Sequence, residues 1–243
     1  MTTLKLFCFA HAGGSAAGYS RWRRQLEPWI ELCPLELNGR GAKANLPFYD
    51  SIQEAVIDLF AQIQRQAGDQ PYALLGHSMG TLLVYEMCLH IRRMGFHSPA
   101  AVVFSGRIPP HLDESDEKIH KLQDEAFTEK IREMGLSSPE LFEHPELLNL
   151  FLPIIRSDYQ LLETYAFDDN EPPLSTDFFV WTGQDDPWTR ENIHEWNKLT
   201  SKGCQYHEFE GGHFFIYERT REIIAALHEC LGTVRDNNVV EQA

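Results

Sequence analysis

The sequence has no apolar run approaching the roughly 20 residues that span a bilayer, so no membrane-spanning helix and no membrane partner is expected. Its first residues, Met1-Thr2-Thr3-Leu4-Lys5, lack the basic and apolar regions of a signal peptide. Positive charge is scarce. There are 21 Lys and Arg against 36 Asp and Glu, a net charge of −15, and such a surface repels phosphate backbones, which argues against nucleic acid as a partner. Cysteine is sparse and odd in number: Cys8, Cys33, Cys88, Cys204 and Cys230, with no C-x-x-C spacing. That excludes a disulfide framework and fits reduced thiols in a cytoplasmic protein. His194-Glu195 begins like a zinc motif but lacks the second histidine, and no G-x-G-x-x-G dinucleotide fingerprint occurs. Neither a metal nor any other cofactor is expected.

What is present is a core. Hydrophobic residues make up 43% of the 243, enough for one domain, 1–243, that needs no staple. Apolar runs at Leu4–Ala10, Leu32–Leu37, Tyr72–Leu75, Ala100–Phe104, Phe178–Thr182 and Gln205–Phe209 read as strands. Between them lie helical patterns at Tyr19–Glu27, Ser51–Gln66 and Thr81–Met94, with another at Thr220–Leu231 before a polar, frayed tail. Ser51 followed by Glu54 is a capping box. The alternation predicts an α/β fold with a mainly parallel sheet flanked by helices. It breaks between about 109 and 165, which is charged, punctuated by Pro139, Pro145 and Pro153, and reads as helices only. An all-helical insertion suggests a lid over an active site; a helical elaboration with no gating role has the same signature.

Gly76-His77-Ser78-Met79-Gly80 matches the G-x-S-x-G nucleophile elbow, with an apolar strand before it and an amphipathic helix after. The serine of such an elbow occupies a strained strand-to-helix turn, and the strand and helix approach so closely that glycine is needed two residues to either side. On this fold the chain order is Ser, acid, His. His213 stands in Gly211-Gly212-His213-Phe214-Phe215, after the last strand and before the last helix, where a general base belongs. His90, His97, His111, His120 and His144 read as solvated, and His207 as a surface residue of a strand. The acid lies in Gly183-Gln184-Asp185-Asp186-Pro187. Asp186 is preferred because it sits fourth in a G-x-x-D turn and before proline, which leaves Asp185 as a solvated turn residue. The oxyanion donors expected are the backbone N–H groups of Met79, next to the nucleophile, and of Ala12, in the loop His11-Ala12-Gly13-Gly14-Ser15.

These motifs together resemble the stand-alone type II thioesterases that accompany non-ribosomal peptide and polyketide synthases, members of the α/β-hydrolase superfamily. The matching stretches are Leu6 to Ser15 with Tyr19 and Trp22 behind, Leu37-Asn38-Gly39-Arg40-Gly41, the elbow with Met79, Ser105-Gly106-Arg107, Gly183 to Pro187, and Gly211 to Phe215. One departure is Asn38, where the family usually carries proline before Gly-Arg-Gly. The resemblance implies the α/β-hydrolase fold with a helical lid. It also implies Ser78–Asp186–His213 chemistry without a cofactor, acting on small acyl groups carried on the phosphopantetheine arm of carrier domains. A carboxylesterase or acyl-CoA thioesterase of the same fold shares the elbow, and a non-catalytic binding protein could keep the same shell.

Overall fold

The computed structural model describes residues 3–112, 117–135, 139–189 and 191–241. The N-terminal Met1-Thr2, residues 113–116 and 136–138 of the expected insertion and 242–243 of the expected tail lie outside the described residues. The strands are β1 (Leu4–Phe9), β2 (Ile30–Pro34), β3 (Tyr72–His77), β4 (Ala101–Ser105), β5 (Phe178–Gly183) and β6 (Cys204–Phe209). They form one sheet in the order β2-β1-β3-β4-β5-β6, every adjacent pair parallel.

Parallel strands covered on both faces must be apolar throughout, and alternation deals their side chains to two cores. Phe7, Phe9, Leu74, Phe104 and Val180 point to one face, where helices α1 (Ile52–Ala67) and α2 (Met79–Arg93) pack. Leu6, Cys8, Leu75, Val103 and Trp181 point to the other, covered by the 3₁₀ segment Ala16–Arg24. The helix that ends the chain closes the same face through Ile223, Leu227 and Leu231. Between β4 and β5 stand the short 3₁₀ turns Pro110–Leu112 and Ile119–Lys121 and helices α3 (Asp124–Met134), α4 (Pro139–Glu143) and α5 (Pro145–Thr164). They bring a third, smaller core of Ile119, Phe127, Ile131, Leu152, Ile155 and Tyr159. After β6 come α6 (Phe215–Glu218) and α7 (Thr220–Glu241).

The departures from the sequence reading have local causes. The expected helix at Tyr19–Glu27 is a 3₁₀ segment that stops at Arg24, four residues before Pro28. Tyr19 and Trp22, the two large rings it buries, are three residues apart, the repeat of a 3₁₀ helix. The second strand lies at Ile30–Pro34 rather than Leu32–Leu37, because pairing with β1 runs from Leu4↔Ile30 to Cys8↔Pro34. The final helix runs past Gly232 to Glu241 instead of fraying; one glycine costs a helix only about 1 kcal/mol and no proline follows it. Among the described residues no helix is long and apolar enough to cross a membrane. All five cysteines are unpaired.

The strand order fixes where a site can form. From β1 the chain crosses to β2 on one side, then returns to β3 on the other. The carboxyl ends of β1 and β3 therefore flank the switch point at which ligands bind in open parallel sheets. The loop after β1 and the turn after β3 are the glycine-rich loop and the elbow.

Candidate active site

Ser78 is the single residue between β3 and α2, with φ 54° and ψ −116°. Positive φ on a serine is strained backbone, and its surroundings enforce it. A Cβ on Gly76 would lie 2.1 Å from the Gly80 carbonyl oxygen, and one on Gly80 2.2 Å from that of Phe9. The turn is pinned further by the Ser78 N–H, which donates to Ser105 O (2.8 Å). The Thr81 hydroxyl lies 2.9 Å from both the Gly76 and Ser105 carbonyl oxygens. Met79 opens α2, so its N–H belongs to the positive end of the helix, adjacent to the serine.

Asp186 and His213 arrive on neighbouring loops at the ends of β5 and β6. A Cβ on Gly183 would meet the Gly212 carbonyl oxygen at 2.5 Å, so glycine lets the loops touch. Asp186 is fully buried; its Oδ2 is 2.9 Å from His213 Nδ1, and its Oδ1 accepts the Trp188 N–H at 3.0 Å. Asp185 is exposed. Of the two adjacent carboxylates, then, Asp186 meets the histidine. A proton held on Nδ1 by this carboxylate leaves Nε2 as the basic nitrogen. Ser78 and His213 both line a cavity of about 530 Å³, whose wall includes Arg107, Ile108, Tyr165 and Phe167. Leu162 and Tyr165, at the end of α5, and Met134 of α3 bring the helical insertion into that wall.

In the loop after β1, Gly13 takes φ +78°. The Gly14 N–H donates to His11 O at 2.9 Å, and the Gly13 N–H to Asp158 Oδ2 at 2.7 Å. Ala12 packs against both the sheet core and the insertion's core.

Sequence reasoning passes over two histidines that the fold brings to this place. His77, the second residue of the elbow, is fully buried, with Nδ1 3.0 Å from Ser105 Oγ and its ring 5.1 Å from that of His213. Burial drives its pKa well below the usual histidine value, with His213 and His11 adding to the effect. His11 lies with Nδ1 3.0 Å from the Tyr217 hydroxyl; burial, then His213 and Arg40, pushes its pKa down to about 3. The position of His77 within the elbow was the available signal. Nothing local marks His11. Three histidines expected to be solvated, His90, His111 and His120, are partly buried. His111 lines the cavity, with Nε2 3.6 Å from Glu195, and stands in the 3₁₀ turn Pro110–Leu112. His120 pairs with Glu163 of α5. His97, His144, His194 and His207 are exposed and His90 is half-buried. Among the described residues no group of three or more His, Cys, Asp or Glu could hold a metal ion.

A thioesterase domain model matches residues 4–231. The chain is 33% identical over 230 residues to linear gramicidin dehydrogenase LgrE of Brevibacillus parabrevis, covering 93% of this chain and 87% of that one. Among solved structures it superposes with a TM-score of 0.92 on ClbQ from the colibactin NRPS/PKS pathway, at 30% identity, covering 96% of this chain and 99% of that one. With the type II thioesterase BorB from the borrelidin biosynthetic cluster the TM-score is 0.84 at 30% identity, with 94% and 92% covered.

Proposed function

The chain belongs to the thioesterase family, and from that premise we propose that it hydrolyses acyl thioesters borne on the phosphopantetheine arm of carrier domains of a non-ribosomal peptide or polyketide synthase, clearing stalled or wrong acyl groups. The observation that carries the reading is the buried Asp186–His213 pair, 2.9 Å apart, opening with Ser78 onto one cavity. Likeness along nearly the whole chain to ClbQ, from an NRPS/PKS pathway, and to the type II thioesterase BorB supports that substrate class.

In this mechanism His213 Nε2 takes the Ser78 hydroxyl proton as Oγ attacks the thioester carbonyl. The N–H groups of Met79 and Ala12 hold the oxyanion. The C–S bond breaks, and His213 returns the proton to the leaving thiolate. Water, deprotonated by the same imidazole, then attacks the acyl-serine, releasing a carboxylic acid and restoring Ser78. Asp186 holds the tautomer and stabilises the imidazolium without taking the proton. The helices between 109 and 165 act as a lid on this one hydrolase domain, and the unpaired thiols suit a cytoplasmic enzyme.

The name of LgrE describes hydride chemistry, but the loop after β1 reads His11-Ala12-Gly13-Gly14 and no G-x-G-x-x-G occurs in the chain. A nucleophile, a base and an oriented acid favour hydrolysis instead. The test is release of acyl groups from an acylated carrier protein, followed by intact-protein mass spectrometry, with Ser78→Ala alongside. Faster clearance of the carrier than of the matching acyl-CoA, abolished by the substitution, is expected. Turnover of free esters with no action on the carrier would overturn the substrate class and leave the triad.

A further inference from the structure

The glycine-rich loop is held from outside the sheet by a buried ion pair. Asp158 stands on α5, in the helical insertion, and Arg40 in the turn after β2; their side chains are 1% and 5% exposed. The guanidinium meets the carboxylate with two bonds, Nη2 to Oδ1 at 2.6 Å and Nη1 to Oδ2 at 2.7 Å. The same Nη1 donates to the Gly14 carbonyl oxygen at 3.0 Å, and the same Oδ2 accepts the Gly13 N–H at 2.7 Å. The pair thus grips the loop by one amide and one carbonyl. One turn earlier on α5, Ile155 packs onto the Gly13 α-carbon so closely that a Cβ there would lie 2.7 Å from its Cγ1. Ala12 sits against the core that includes Ile155 and Tyr159.

A buried ion pair is weak evidence for stability, since well-packed apolar residues of like volume serve as well or better. What the planar bidentate contact supplies is fixed geometry. With the Gly13 amide committed to Asp158 and the Gly14 amide to His11 O, the oxyanion falls to the amide before them. We propose that Asp158 and Arg40 are positioning residues that set the Ala12 N–H for the oxyanion only while α5 is seated, so that the helical insertion completes the hydrolytic site as well as covering it. The proposal rests on the reading of Ala12 as an oxyanion donor. If α5 lifts, the carboxylate leaves with it, Gly13 loses its acceptor, and the left-handed loop is free to relax. By linkage, an oxyanion bound at Ala12 favours the seated insertion.

The test uses a p-nitrophenyl acyl ester as substrate and an alkyl trifluoromethyl ketone as inhibitor; its serine adduct places an oxyanion in the hole. Asp158→Asn keeps an acceptor for Gly13 but breaks the bidentate contact. Arg40→Met with Asp158→Leu removes both charges together and leaves no unpaired buried ion, so it keeps the test open if single variants fail to fold. The expected result is a folded double variant with kcat down by roughly 10²-fold, the cost of one oxyanion donor. The ketone Ki should rise in step, KM stay near wild type, and Asp158→Asn fall between. A purely structural role would move the unfolding temperature and spare the split between kcat and KM. A folded double variant with wild-type kcat and ketone affinity overturns the proposal. Ser78→Ala runs in parallel: its inactivity upholds the catalytic reading independently, and activity in it would overturn that reading and the positioning role together.

Discussion

At the scale of the residue, two adjacent carboxylates meet opposite surroundings. Asp186 and Asp185 differ by one position in sequence, yet one is fully buried against His213 and the other faces solvent. Asp186→Asn would preserve size but place an amide that can donate where a carboxylate accepts the Nδ1 proton. The imidazole then prefers the tautomer with its proton on Nε2, which cannot take one from Ser78. In the serine-protease template, the corresponding change lowers kcat by about 10⁴-fold with the geometry intact, and a loss of similar order is expected here. Asp185→Asn should leave turnover unchanged. Steady-state hydrolysis of one acyl thioester by both variants checks the pair of expectations, and equal losses would show that the acid has been misassigned.

Elements are set by short signals where the signals are local, and by packing where they are not. Ser51 is such a signal: its Oγ accepts the Glu54 N–H at 3.1 Å at the start of α1. Glu54 does not close the reciprocal half of the box on Ser51 but accepts the N–H of Asp50 at 2.7 Å. Ser51→Ala should therefore cost about 1 kcal/mol, the usual worth of an N-cap, read as a lower urea midpoint with the m-value and activity unchanged. An unaltered midpoint would mean that Asp50 and Glu54 hold the helix start without it. The same contrast explains what could be read from sequence. The elbow was legible because Gly76 and Gly80 answer a clash internal to a strand-turn-helix unit, and the meeting of Asp186 with His213 because chain order on this fold is fixed. The apolar face of α1, with Ile52, Val56, Leu59, Phe60 and Ile63, was legible from its period. The 3₁₀ character of Ala16–Arg24 was not, since it depends on where Tyr19 and Trp22 pack. Nor was the Arg40–Asp158 contact, whose partners stand 118 residues apart in the chain and which only the insertion's seating brings together.

At the scale of the whole molecule, the two histidines built into the site make stability depend on pH. His77 is buried among the rings of His11, His213, Phe215 and Tyr217, and His11 shares that surrounding with Arg40 nearby. Both are held neutral in the fold, His11 down to about 3 and His77 well below its ordinary value. In the unfolded chain each titrates near 6.5. As pH falls below that value, the unfolded state takes up protons that the fold refuses, and stability falls. Above pH 6.5 their contribution is fully present. Each proton adds up to about 1.4 kcal/mol per pH unit. The carboxylates whose pKa is lowered by partners, Asp58, Asp168, Glu171 and Glu195, act in the same direction, but only near and below the ordinary carboxylate range. Glu86, raised by burial, opposes the trend as its carboxyl is protonated more readily in the fold. The histidines therefore dominate between the carboxylate range and pH 6.5. Urea unfolding followed from pH 7.5 down to pH 5 should show a midpoint that declines steadily, and His11→Asn, which keeps a polar group near the Tyr217 hydroxyl, should make the decline shallower. A midpoint that stays flat over that range would mean that the cluster opens to water and takes up its protons without unfolding.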